Sequence, residues 1–214
     1  MSPRRAKVLS EESSPGALRR HLIAVTQRLL AAHGGTALTT RQIAREAQVS
    51  DGVLYNHFSD KDDLVVTALA AQAEESADTF LAAVPQPGSE TLEQNLRTIA
   101  EAAVTFHATT LPLVTSLIGR GPLFHALMTA LHSAPGPGRT LIATIDYLRA
   151  EQALGRAAAD VDAAAAAELL FGACQLRAFA GHLQPPSAVP PAGDPNDAGD
   201  LAAVVATLMR ALRP

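Results

Sequence analysis

An all-α fold follows from three observations on this 214-residue sequence. The chain is 48% hydrophobic but only 4% aromatic, with no Trp, so Ala, Leu and Val must fill its core, and Ala-rich composition favours helix. Apolar residues recur at three- and four-residue steps. No segment alternates like a strand for more than a few residues.

The elements can be justified in order. Ser14-Pro15 has the order of an N-cap followed by Pro at the first helical position. ALRRHLIAVTQRLLAAH then sets Leu18, Leu22, Val25, Leu29 and Ala32 at helical steps until Gly34-Gly35 stops it. In TTRQIAREA, Thr39 and Gln42 have capping-box spacing, with Ile43, Ala44 and Ala47 on the apolar edge and Arg41 and Arg45 opposite. Gln48-Val49 makes a tight break and Ser50 is placed to cap the next segment, DGVLYNHF. There Leu54 and Phe58 share a buried face while Tyr55 and Asn56 point away.

Ser59 with Asp62 repeats the capping spacing and opens a fourth helix running to Ala83, its acids suiting the positive helix end. PQPGSE (85–90) reads as a loop. Helices are expected at about 90–110, 113–119, 122–132, 138–154 and 160–183. The charge-free run Ala102–Gly119 is long enough to raise a membrane question. His107, Pro112 and its threonines favour a buried helix pair broken near Pro112 instead. A Pro/Gly/Asp-rich mobile loop (184–200) precedes a closing helix, LAAVVATLMRAL. The domain reading is a flexible basic arm (1–14), a three-helix unit with a helix-turn-helix (15–64) and a larger helical domain (65–214).

Charge divides the same way. Residues 1–50 hold eight Arg/Lys against three acids, whereas residues 65–214 hold eight Arg against fourteen acids. A basic front on an acidic body suggests nucleic acid at one end only. In a helix-turn-helix the second helix of the motif, here the third of the chain, enters the major groove, which is wide enough to admit one. Arg4, Arg5 and Lys7 either reach a minor groove as an arm or are a solvated tail.

The segment TTRQIAREAQVSDGVLYNHFSDKDDL resembles the DNA-binding signature of the TetR/AcrR-type one-component regulators. Thr40, Ile43, Ala44, Ala47, Val49, Ser50, Gly52, Leu54, Tyr55, His57, Phe58, Lys61 and Leu64 fall in register with it. Beyond residue 75 the resemblance rests on helix count and arrangement. It implies that Thr40, Tyr55, His57 and Lys61 contact phosphates and that Arg41, Asp51, Val53 and Asn56 lie near base edges, with Thr39, Ser50 and Gly52 completing the face. The side-chain chemistry agrees, since hydroxyls and an ammonium position a backbone whereas Arg or Asn reads a purine bidentately. For His57, packing against the first helix is the other reading. Two positions depart from the pattern. Gln48 stands where the family usually has Gly, so it must accept a left-handed conformation, and Asp51 stands where relatives are often basic or polar.

Residues 102–138 carry one charged side chain, Arg120, among many apolar ones. The resemblance places a small-molecule cavity between these helices. Phe106, His107, Arg120, Phe124, His125, Met128 and Tyr147 are the candidate contacts for a largely apolar effector, with plain core packing as the alternative at each. Asp160–Leu183 is rich in small residues and, with the closing helix, fits half of a four-helix homodimer interface across a two-fold axis.

No metal site is expected, because the histidines lack helical ligand spacing with acidic or Cys partners. No cofactor is implied, and no nucleophile motif is found. One Cys, Cys174, and a basic start with no apolar stretch behind it suit a cytoplasmic protein. The resulting expectation is a homodimeric, non-enzymatic regulator that binds double-stranded DNA, probing a pseudo-palindromic operator as a repressor and leaving it when a small molecule binds. Its rivals are a helical small-molecule- or protein-binding module that no longer binds DNA and, more weakly, an enzyme using the His-bearing cavity.

Overall fold

A computed structural model describes residues 15–33, 38–133, 138–183 and 198–213. The basic arm, the cap at Ser14, the Gly34-Gly35 stop and most of the 184–200 loop lie outside the described residues. Among the described residues every regular element is a helix: α1 (Pro15–His33), α2 (Thr40–Glu46), α3 (Asp51–Tyr55), α4 (Lys61–Ala83), α5 (Leu92–Thr115), α6 (Gly121–Ser133), α7 (Arg139–Ala153), α8 (Ala163–Leu183) and α9 (Ala198–Ala211). They divide into two compact units. One holds the described residues up to Gln72 together with Ser116–Ala130; the other holds Ala73–Thr115 and the described residues from Leu131 onward. The long helix α4 belongs to both.

In the first unit, Leu22, Val25, Ile43, Ala44, Leu54, Phe58, Leu64 and Ala68 are buried. The capping box at α2 forms as its spacing predicts: Thr39 Oγ1 accepts from the Gln42 N–H at 3.2 Å and Gln42 Oε1 accepts from the Thr39 N–H at 2.8 Å. The start of α4 is displaced from expectation. Asp60, not Ser59, caps it, its carboxylate accepting from the Asp63 N–H at 2.8 Å, while the Asp63 carboxylate accepts from the Ser59 N–H at 2.9 Å. A charged acceptor outcompetes a hydroxyl for the free N–H groups of a helix start. Ser50 precedes α3 without a side-chain cap. Its carbonyl accepts from the Val53 N–H instead, at 2.9 Å.

In the second unit, α5 packs most extensively on α8, with α7 and α9 completing the layer. Small residues allow the approach. Ala100, Ala103, Ala166 and Ala167 are buried, and the Cys174 thiol lies 3.5 Å from the Ala100 carbonyl. Burial pushes that thiol up to about 11, so it stays protonated and inert.

The expected helix pair broken near Pro112 is in fact one helix, α5, that runs through the proline to Thr115. Pro removes a single intrahelical donor here. Ala108, whose carbonyl loses that bond, is the exposed residue of its turn, so water can replace the lost donor. The helix expected from residue 160 starts at Ala163 because Asp162 caps it, accepting from the N–H groups of Ala164 and Ala165 at 2.8 and 3.2 Å.

Helix α8 is long and apolar enough to cross a membrane by length and composition alone, yet close to half of that stretch is buried inside the fold.

Candidate nucleic-acid interface

The turn between α2 and α3 sets the direction of α3. The Val49 N–H donates to the Ala44 carbonyl at 3.0 Å and the Gln48 N–H to the Arg45 carbonyl at 3.2 Å, while Gln48 sits at φ 57°. This is a Schellman closure with a non-Gly residue in its left-handed position. The conformation that Gln48 has to accept is therefore present, at a cost of roughly 1 kcal/mol relative to Gly. Helix α1 braces the turn from the other side. His21 Nε2 lies 3.3 Å from the Ala47 carbonyl, and the Arg19 guanidinium stands 4.9 Å over the Phe58 ring.

With Leu54 and Phe58 buried, α3 turns Asp51, Gly52, Tyr55 and Asn56 outward. Tyr55 is 57% exposed, a large share for an aromatic side chain. Val53 and His57 are half-buried beside them. From α2, Thr39 and Arg41 are exposed and Thr40 is half-buried. Lys61, half-buried at the start of α4, lies 3.5 Å from the Asp62 carboxylate in an exposed pair. Gly52 is informative by what surrounds it, because a Cβ built there would meet nothing within 4 Å. None of the described residues therefore requires glycine at this position, on the same face as Tyr55 and Asn56.

Residues 22–68 match the model of the bacterial regulatory proteins of the tetR family. Over this stretch, about a fifth of its length, the chain is similar to the tetR family. The HTH-type transcriptional regulator HbdR of Aromatoleum sp. (strain CIB) is 44% identical over 52 residues, which make up 24% of this chain and 23% of that protein. Across the rest, the likeness is one of fold. A tetR-family transcriptional regulator from Mesorhizobium loti superposes with a TM-score of 0.78 at 18% identity, covering 95% of this chain and 100% of the other. A transcriptional regulator from Pseudomonas aeruginosa PAO1 gives 0.68 at 21% identity, with 97% of each chain covered.

The residues expected to meet an effector are distributed over both units. Arg120 and His125 are exposed in the first unit, where Phe124 and Met128 are half-buried. Phe106, His107 and Tyr147 lie in the second. Tyr147 is buried and its hydroxyl donates to Glu151 Oε1 at 2.7 Å; burial first, and then this carboxylate, push the phenol well above its ordinary range. Glu151, fully buried, also accepts from the Gly88 N–H at 3.0 Å and pairs with Arg156 Nε at 2.8 Å. Tyr147 thus serves a polar staple holding the α4–α5 loop to α7.

Phe106 and His107 are brought together with two rings the sequence did not single out. His107 lies 5.2 Å from Phe106 and 5.6 Å from Phe171, and Phe80 lies 5.6 Å from Phe171. Burial lowers the His107 pKa to about 4, so the ring is neutral at pH 7. Among the described residues none offers a hydrogen-bond partner to its buried Nε2. Leaving such an atom unpaired costs about 1–3 kcal/mol. The signal that could have found Phe80 and Phe171 was their scarcity, since the chain has six Phe in all.

The solvent side of α8 carries Ala165, Leu169, Gly172, Leu176, Phe179 and Leu183, all exposed and spaced by alternating steps of four and three. Leu169, Leu176 and Leu183 are 71%, 66% and 67% exposed, too much for side chains that have finished packing. A Cβ built on Gly172 would meet nothing within 4 Å.

Proposed function

We propose that this chain is a homodimeric, cytoplasmic DNA-binding transcriptional repressor of the tetR family that leaves a pseudo-palindromic operator when a small, largely apolar molecule binds its second unit. The observation that carries the DNA-binding part is the exposed Asp51–Gly52–Tyr55–Asn56 surface standing on buried Leu54 and Phe58. Thr40, Tyr55, His57 and Lys61 hold phosphates in this reading. Arg41, Asp51, Val53 and Asn56 read base edges, and Thr39, Ser50 and Gly52 leave room for the backbone. Asp51 suits a cytosine amino group.

The heptad-like apolar stripe on α8 supports dimerisation. Its 3–4 spacing is that of a helix seam, and the gap at Gly172 lets a partner helix approach closely. A five-residue α3 binds weakly alone, so two copies about one turn of DNA apart supply the reach. Coupling runs through α4, which belongs to both units. An effector that favours one pose of α4 by about 3 kcal/mol weakens operator binding roughly a hundredfold.

The test is selection of bound fragments from random DNA, followed by shift assays with Tyr55→Phe, Lys61→Ala and Asn56→Ala. The first two variants are expected to weaken binding to all sequences, Lys61→Ala also lowering the salt slope by about 1, while Asn56→Ala blurs preference at one position. Unchanged affinity in all three removes the assignment of this face. Absence of any salt-sensitive DNA binding would favour a helical module that has lost it.

A further inference from the structure

We infer that His107 is the single hydrogen-bonding anchor of the effector site, and that the effector is an uncharged, ring-containing apolar molecule offering one hydroxyl or carbonyl to it. This rests on the reading of the second unit as effector-binding and narrows what that unit accepts.

Three features converge on His107. The first is its surroundings: Phe106 and Phe171 stand edge to face with it and Phe80 edge to face with both of them, half of the phenylalanines of an aromatic-poor chain in one place. Such edges and faces suit another flat ring. The second is its unmet capacity. The other hydrogen-bonding side chains in the C-terminal half of α5 are satisfied by their own helix. Thr105, Thr109, Thr110 and Thr115 donate to the carbonyls of Glu101, Thr105, Phe106 and Leu111 at 3.0, 3.1, 2.9 and 2.9 Å. Among the described residues His107 Nε2 has no such partner, and leaving a buried polar atom unpaired carries a cost that a ligand can relieve.

The third is access. The first half of α5 separates fully buried from exposed side chains, as a packed amphipathic helix does. From Thr109 to Thr115 every residue is half-buried instead, so this segment keeps partial access to solvent beside the buried rings. His107 itself is only partly buried. A neutral imidazole among phenylalanines matches a neutral partner, whereas a carboxylate arriving there would be stripped of water and would have to recharge the ring.

Three probes of one shape test this on the full-length protein by calorimetric titration: 2-naphthol, naphthalene and 2-naphthoate. 2-Naphthol is expected to bind about tenfold tighter than naphthalene, the worth of one good hydrogen bond, with 2-naphthoate weakest. In His107→Phe the margin between 2-naphthol and naphthalene should fall to about twofold or less, and His107→Gln should keep part of it. On the unmutated protein labelled with 15N-histidine, the Nε2 resonance of His107 should move on addition of 2-naphthol. This readout does not depend on any variant folding.

Equal affinities, no binding of any probe, tightest binding of 2-naphthoate or an unmoved Nε2 resonance would each overturn the inference. Operator binding is measured separately. Protein that holds its operator yet ignores 2-naphthol defeats this inference alone. Protein that binds 2-naphthol through His107 but no DNA defeats the regulator reading and leaves the anchor standing.

Discussion

The two compact units close their helix starts alike but place their surplus polar groups differently. In the first, the free N–H groups of helix starts are closed by neighbours, Thr39 with Gln42 and Asp60 with Asp63, and the surplus polar side chains Tyr55 and Asn56 stand in water. In the second, chemistry is drawn inside. Glu151 is fully buried against Tyr147, Gly88 and Arg156, and the neutral His107 keeps a buried nitrogen without a partner among the described residues. A surface meant for a wet, charged partner can be assembled by local rules, because its side chains need only be held outward. A polar group held inside has to be enclosed by residues far apart in sequence.

The sharpest way to break the contrast is to remove the buried carboxylate. Glu151→Ala leaves Arg156, Tyr147 and the Gly88 N–H without their acceptor and should cost about 3–5 kcal/mol in the second unit. Chemical denaturation should then show that unit melting before the helix-turn-helix. Next in size is Leu176→Arg, a charge set in the middle of the α8 stripe. Sedimentation should show monomers, and operator affinity should fall by about a hundredfold or more as the two-site advantage is lost. A dimer unaffected by this change would move the interface elsewhere.

Titration of His107 gives an intermediate effect with a definite sign. Its folded pKa, about 4, lies below the unfolded value, so the unfolded chain binds the extra proton first and stability falls as pH drops below about 6.5. Discounted for partial exposure of the ring, the loss from pH 7 to pH 5 should be about 1–2 kcal/mol and should be absent in His107→Phe. Gly52→Ala separates stability from binding. It should leave melting unchanged or raise stability by about 0.5 kcal/mol, yet weaken operator binding if phosphate backbone lies against that position. Gln48→Gly relieves the left-handed residue and should stabilise the first unit by up to about 1 kcal/mol without changing sequence preference.

The same contrast explains what could be read in advance. The helix-turn-helix was legible because its determinants are close in sequence. Thr39 and Gln42 announce a cap, Leu54 and Phe58 announce a buried face, and the residues between them are left for a partner. The start of α4 slipped by one residue because three neighbouring acceptors, Ser59, Asp60 and Asp62, compete for the same role and charge decides. The break at Pro112 was overread because one missing donor matters less where the turn meets water. In the second unit the candidate residues Phe106 and His107 were visible, but the rings that enclose them come from α4 and α8. Tyr147 pointed to chemistry of a different kind, a fixed staple whose carboxylate, Glu151, gave no pattern of its own.

The notch at Gly172 has a bearing beyond this one chain. If copies pair along the α8 stripe, the depth of that notch fixes how near the two backbones come, and only an equally bare partner can lie as close. A similar protein with a bulky side chain at the corresponding place would be held off along the seam. One missing methyl group would then help to keep subunits of different regulators from mixing within the same cell.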